Sequence, residues 1–461
     1  MGLIFSCGTS GTSGTSCTSG TSCTSGRRRA RSRIAVGLAV PILALFTTLP
    51  RVASAQTTTA PPALTAAQRA EDVDAFCRFV TNNYAYFDRK SIDWQKTCIA
   101  TAAQAGEAGD RAAFILTLEA ALVELYDSHA HLATSTAHSR RLVPTATDVV
   151  GIWSGERALV TAVRQDSAAQ RAGVMEGDEI LAINDRPVAA AAAEFTPRFQ
   201  PVPSAQAHDW ALQVALAGRR DNPVMRLDVR RAAGAQPLME QRMQQLTYAP
   251  AESRPTQRLS SRTDGAVAIV RINNALGEQK VVADFDAALD GMPGARGLIL
   301  DLRDTPSGGN TAVARGIMSR LVDQPMAYQR HEAIGEYRST GIRRIWVEYV
   351  APRGRRFPGP VVVLVGSWTG SMGEGLAIGL HAARGATVIG QPMARLVGAL
   401  GEFTLPHSRI TVRIPTEKLF HVDGTPREDF IPVAVTRSPG AAADADPALE
   451  QALVLIRPLL P

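Results

Sequence analysis

Val361-Val362-Val363-Leu364-Val365-Gly366-Ser367-Trp368-Thr369-Gly370-Ser371-Met372-Gly373-Glu374 is the stretch on which the fold turns. Its five leading apolar residues do not alternate with polar ones, the pattern of a strand buried on both faces. Gly366 and Gly370 turn the chain, and Met372 to Ala383 reads as a helix. A strand that feeds a helix through a short glycine-bearing loop is the repeating unit of an α/β sheet. The same order recurs on either side. Val267 to Ile272, Gly297 to Leu302 and Thr387 to Gly390 read as strands, and Val281 to Leu289 and Thr311 to Val322 as helices. Right-handed crossovers make such a sheet largely parallel, and ligand sites gather at the C-terminal ends of its strands.

Ser371 stands at such an end. A side chain at a helix N-terminus lies beside unpaired backbone N–H groups and the positive end of the helix dipole, which together can hold an oxyanion. The plainer role for a serine there is an N-cap. A second strand-to-helix loop, Asp301-Leu302-Arg303-Asp304-Thr305-Pro306-Ser307-Gly308-Gly309-Asn310, has two glycines where backbone could approach a substrate. An N–H of Gly308 or Gly309 is therefore a candidate oxyanion donor beside that of Met372. The loop lacks the lysine of a phosphate-binding P-loop, which argues against a nucleotide.

The chain changes character upstream. Asp72, Val73, Phe76, Phe79 and Val80 repeat at helical spacing, as do Phe114, Ile115, Leu118, Leu122 and Leu125. This helical region ends at Tyr126-Asp127-Ser128-His129-Ala130-His131. Ala158 to Val163 then reads as a strand, Ser167 to Val174 as a short helix closed by Gly173, and Ile180 to Asn184 as another strand. The expected organisation is a leader over 1–55, a helical domain over 65–140, a second domain over 148–235, an α/β core over 262–437 and a C-terminal helix or tail over 438–461.

The formal charge of +6 does not describe the whole chain. Arg27, Arg28, Arg29, Arg31, Arg33 and Arg51 all fall in residues 1–55, where there is no acid; without these six, 43 basic residues face 43 acidic ones. Nothing in that balance points to nucleic acid. Arg27 to Arg33, the apolar run Ile34 to Leu49 and Val52-Ala53-Ser54-Ala55 have the order of a cleavable export signal. The expectation is a mature chain starting near Gln56, located in the periplasm or outside the cell, with no stable membrane span. Residues 7–26 are a Gly/Thr/Ser/Cys repeat that cannot form a core. Cys77 and Cys98 are the two cysteines beyond the leader, a disulfide candidate in an oxidising compartment and otherwise two buried thiols. The eight histidines are scattered, with no metal-binding spacing, and no cofactor is expected.

The two loops, with Gly385-Ala386-Thr387-Val388-Ile389-Gly390-Gln391-Pro392, Asp423-Gly424 and Asp446-Pro447-Ala448-Leu449, resemble the C-terminal-processing (tail-specific) peptidase family. That family includes the tricorn core protease and retinoid-binding relatives. The order of Arg171-Ala172-Gly173, Gly177-Asp178, an apolar strand and the turn Asn184-Asp185-Arg186-Pro187-Val188 looks like a PDZ domain, with Val149 to Trp153 the position for its carboxylate-binding loop. Such domains bind extended peptide ends at a sheet edge.

The resemblance implies a multidomain α/β fold with a mainly parallel sheet, and a serine peptidase acting on polypeptides through Ser371. One branch of the family pairs the serine with a lysine, whose position in Met393-Ala394-Arg395-Leu396-Val397-Gly398 falls on Leu396. Arg395 cannot take its place, because a guanidinium stays protonated. The other branch, similar to the tricorn core, uses the histidine of a Ser-His pair and a later glutamate. Here these match Ser128-His129 and Glu428 in Arg427-Glu428-Asp429. The resemblance thus makes His129 the general base, with Ser128 and Glu428 in support. His131, Lys418 and His421 remain other candidate bases. A catalytically inactive relative binding peptides or apolar ligands is the alternative class.

Overall fold

Three capped helices open the described structure. Thr65 and Gln68 form a reciprocal capping box on Ala66–Asn83, and Asp93 and Asp110 cap Trp94–Glu107 and Arg111–Val123. Cys77 on the first and Cys98 on the second are joined in a disulfide, their Cα atoms 6.0 Å apart. The computed structural model describes residues 63–231, 242–250, 257–435 and 446–460, so the expected leader over 1–55 lies outside it. No helix among the described residues is long and apolar enough to cross a membrane.

The middle of the chain forms an antiparallel sheet in the order Val149–Ser154, Arg157–Val163, Glu179–Ile183, Met225–Arg231, Arg242–Tyr248, with Arg186–Pro187 paired to Glu179–Ile183. Ser167 caps the short helix Ala168–Ala172, and Gly173 ends it in the left-handed conformation, φ 94°. The position proposed for a carboxylate-binding loop, Val149 to Trp153, is an edge strand instead. Its backbone is already engaged, since Asp209 accepts from Trp153 N–H at 2.8 Å and the Gln213 amide donates to Gly151 O. Both side chains belong to the helix Ala205–Ala217, which packs along that edge.

The C-terminal region holds two sheets. The first runs Val433–Ala434, Thr387–Gly390, Val361–Val365, Gly297–Asp301, Val267–Ile272, Leu259–Asp264. All neighbours are parallel except the last pair. The helices Lys280–Asp290, Thr311–Met318 and Met372–Arg384 cover one face, and Pro447–Ile456 covers the other. Both faces are buried, which is why these strands read as unbroken apolar runs.

The second sheet was not legible in the sequence. It is antiparallel, in the order His131–Leu132, Thr411–Phe420, Met326–Ala333, Arg344–Val350, with Ala399–Thr404 on Thr411–Phe420. The two-residue strand that follows the helical region pairs His131 with Arg413 and Leu132 with Val412. This pairing, with the core shared between the helices and Val412, Ile414 and Leu405, carries residues 127–132 to the parallel sheet.

Candidate active site

Ser371 follows the central strand Val361–Val365 and stands at the N-cap of Met372–Arg384, with φ 51° and ψ −113°. Positive φ is costly for a residue with a Cβ, and strain of this kind concentrates where a side chain must be presented. The neighbouring loop forces the turn. Thr305 N–H donates to Trp368 O at 3.0 Å and Gly370 N–H to Thr305 O at 3.3 Å, joining the two strand-to-helix loops. The serine hydroxyl makes no capping bond, so the plain N-cap role is not the one it fills. It lies 3.1 Å from Nε2 of His129.

His129 is 7% exposed and held through both its backbone and its ring. Its backbone N–H donates to Asp127 Oδ1 at 2.9 Å. Its Nδ1 lies 2.8 Å from the carbonyl of Val397. A carbonyl only accepts, so Nδ1 carries the hydrogen and Nε2 presents a lone pair to the serine. Burial pushes the His129 pKa down to about 4; the Val397 carbonyl opposes that shift, and the Arg427 guanidinium adds to it. The ring is therefore neutral at physiological pH.

Asp127 anchors this segment. It accepts from Tyr84 Oη at 2.7 Å and pairs with buried Lys90 at 3.3 Å. Burial opposes its ionisation, but Lys90 and its hydrogen bonds hold its pKa below the ordinary carboxylate value.

Two backbone N–H groups of the joined loops are open, one directly after Ser371 and one directly after Gly308, which lies against the serine. Met372 is the first helical residue, and neither its N–H nor that of Gly309 has an acceptor among the described residues. Gly308 N–H instead donates to Thr305 O at 3.0 Å. Of the two glycines considered from sequence, Gly309 has the open donor and Gly308 the close approach. A Cβ on Gly308 would lie 2.5 Å from Ser371 Cβ and 2.9 Å from Met372 N.

Other candidates are placed elsewhere. Glu428 makes no hydrogen bond to His129: its Oε1 accepts from Arg89 at 2.6 Å, and the imidazole Nδ1 is occupied by Val397 O. Ser128 Oγ accepts from Trp210 Nε1 at 3.1 Å, toward the helix Ala205–Ala217. His131 Nδ1 lies 2.9 Å from His129 O, Lys418 pairs with Asp88 at 2.5 Å, and His421 lies against His381 and Asp423. Leu396 is buried beside the nucleophile loop; a Cβ on Gly370 would come 3.0 Å from its Cδ1. Sequence reading missed Val397, because a backbone carbonyl leaves no side-chain signature. Among the described residues no group of three or more His, Cys, Asp or Glu could hold a metal ion.

A neutral imidazole accepting from a strained serine, beside two open N–H donors, is an arrangement able to support nucleophilic attack on a carbonyl. Residues 266–432 match the model of peptidase family S41, and residues 146–196 that of the PDZ domain. Among solved structures, mature CPAF complexed with lactacystin is 14% identical with a TM-score of 0.53, over 80% of this chain and 93% of that one. The photosystem II D1 C-terminal processing protease is 16% identical with a TM-score of 0.50, over 84% and 97%. At these identities the two structures speak for the fold. No curated relative matches the chain. The S41 match, on this fold, supports a serine peptidase.

Proposed function

We propose, from the premise that residues 266–432 form an S41-type serine peptidase domain, that the chain is an exported enzyme cleaving extended polypeptides through an acyl-enzyme on Ser371. His129 Nε2 takes the hydroxyl proton as Ser371 Oγ bonds to the scissile carbonyl carbon. The carbonyl electrons move onto oxygen, which the N–H groups of Met372 and Gly309 receive. The C–N bond then breaks, and His129 returns its proton to the leaving amine. Water repeats the sequence to release the acid. The observation that carries this reading is the 3.1 Å approach of Ser371 Oγ to a histidine nitrogen whose ring partner is already fixed by Val397 O.

Export is supported by the order of basic run, apolar run and small-residue cleavage signal in residues 27–55, and by the Cys77–Cys98 disulfide. Substrate joining the PDZ-type sheet at Val149–Ser154 would first have to displace Asp209 and Gln213 from that edge. The test is turnover of an unfolded protein by wild type and by Ser371→Ala. Hydrolysis by wild type and none by the variant is expected; equal hydrolysis by both overturns the assignment, and saturable peptide binding without hydrolysis by either would favour a binding protein.

A further inference from the structure

A serine–histidine pair usually has an acid behind the imidazole that fixes its tautomer and orientation. Here that place is taken by the peptide group of Val397, and a lone carbonyl on a loop is a soft support unless something holds it. The loop has two such holds. Arg427 Nη2 donates to Leu396 O and, at 3.2 Å, to Gly398 O, the carbonyls on either side of Val397. Glu374 Oε1 accepts from Leu396 N–H at 3.0 Å. The two side chains are themselves an ion pair, Arg427 Nε to Glu374 Oε2 at 3.4 Å, and both are almost wholly buried.

We propose that Glu374 and Arg427 are positioning residues, a clamp that holds the Val397 carbonyl against His129 Nδ1 and so does what an acid side chain does behind other imidazoles. The inference rests on the reading of Ser371 and His129 as nucleophile and base. Each end of the clamp has a fixed origin. Glu374 is the third residue of Met372–Arg384, so it ties the base-holding loop to the helix that Ser371 opens. Arg427 opens the turn Arg427–Asp429, beside the glutamate that the sequence singled out. Between them the loop is locked at both ends by left-handed residues, Arg395 (φ 55°) and Gly398 (φ 66°). Gly398 cannot carry a side chain, because a Cβ would lie 2.5 Å from Glu417 O and 2.9 Å from Tyr86 Cε2.

A buried carboxyl and guanidinium are a costly way to fix a loop if packing is the only need, since apolar residues of similar volume often serve as well; burial pushes the Glu374 pKa up to about 7 even with Arg427 opposing it. Positioning gives them a use: a displacement of about 1 Å in a catalytic group can lower the rate about 100-fold. Arg427 also faces His129 electrostatically, together with Asp127 and His131 from the histidine's own segment, while Glu374 faces Arg427 and Glu428.

The experiment measures fluorophosphonate labelling of Ser371 across pH, with the rate expressed per folded molecule from thermal unfolding. The variants are Arg427→Lys and the double variant Glu374→Gln/Arg427→Met, which removes both charges and leaves neither unpaired. The double variant is expected to label about 100-fold more slowly. Its acid limb should move up in pH, because the guanidinium that lowers the His129 pKa is gone. Arg427→Lys keeps the charge but not the planar fork, so it should be slow while its acid limb stays in place. Labelling of both variants at the wild-type rate with an unmoved limb overturns the clamp and leaves the Ser371–His129 pair standing. A wild type that never labels overturns the pair, and the clamp with it.

Discussion

Ser371 and His129 lie 242 positions apart in the chain, yet their Oγ and Nε2 atoms approach to 3.1 Å. The join is made by a strand of two residues. His131–Leu132 adds to the edge of Thr411–Phe420, which sets His129 at the C-terminal end of the parallel sheet, where Ser371 opens its helix. The approach of the two side chains therefore rests on contacts between the helical region and the antiparallel sheet.

The pH dependence of kcat/KM should reflect a buried base. His129 has a pKa of about 4 against 6.5 for a free side chain, so the acid limb is expected near pH 4. The same shift bears on stability. The unfolded chain takes up this proton first, so the contribution of His129 to stability is present above about pH 6.5 and is lost as the pH falls toward 4. An acid limb near 6.5 in wild type would speak against the buried, neutral base.

Gly308→Ala should disable the site at little cost elsewhere in the fold. The added methyl would meet Ser371 Cβ at 2.5 Å and Met372 N at 2.9 Å, and φ is +64°. With the nucleophile and an oxyanion donor displaced, kcat should fall about 100- to 1,000-fold. Steady-state kinetics on an unfolded protein substrate checks this, with circular dichroism as the control for folding.

Ser128→Ala should be mild. The hydroxyl's hydrogen bond is the one it accepts from Trp210, so kcat is expected within a few-fold of wild type. Loss of that hydrogen bond should lower stability by about 1 kcal/mol in urea unfolding. A loss of kcat comparable to that of Ser371→Ala would instead give Ser128 a direct part in the chemistry.

Reduction of Cys77–Cys98 should weaken the fold without touching the site. The cysteines are 21 positions apart, and closing a loop of that size is worth about 3 kcal/mol. Denaturant unfolding with and without reductant is expected to show this difference. Below the transition, Ser371 labelling should stay unchanged.

How much of this was legible depended on burial. The strands Val267–Ile272, Gly297–Asp301 and Val361–Val365 are covered on both faces, so their apolar runs showed in the sequence. Met326–Ala333 buries the polar Gln329, His331 and Glu332, and Arg344–Val350 exposes the apolar Ile345, Val347 and Tyr349, so neither shows an apolar run or an apolar-in, polar-out alternation, and the antiparallel sheet stayed hidden. Ser371 and His129 could be picked out because their side chains do the work in the family resembled. Val397 could not, since its part is played by a peptide group. Gly308 and Gly309 could be named but not told apart, because which N–H is already bonded depends on the turn at Thr305. Glu428 stood out in the sequence, but Arg427 beside it is the residue bonded to the loop that holds the base.

The pairing of Ser371 with His129 is tested most directly by a fluorophosphonate probe, with the labelled residue located by mass spectrometry in wild type and in His129→Ala. Wild type should be labelled at Ser371, and His129→Ala should lose at least about 1,000-fold in rate while staying folded. Labelling at a different residue, or at Ser371 with equal rates in both proteins, would contradict the pairing.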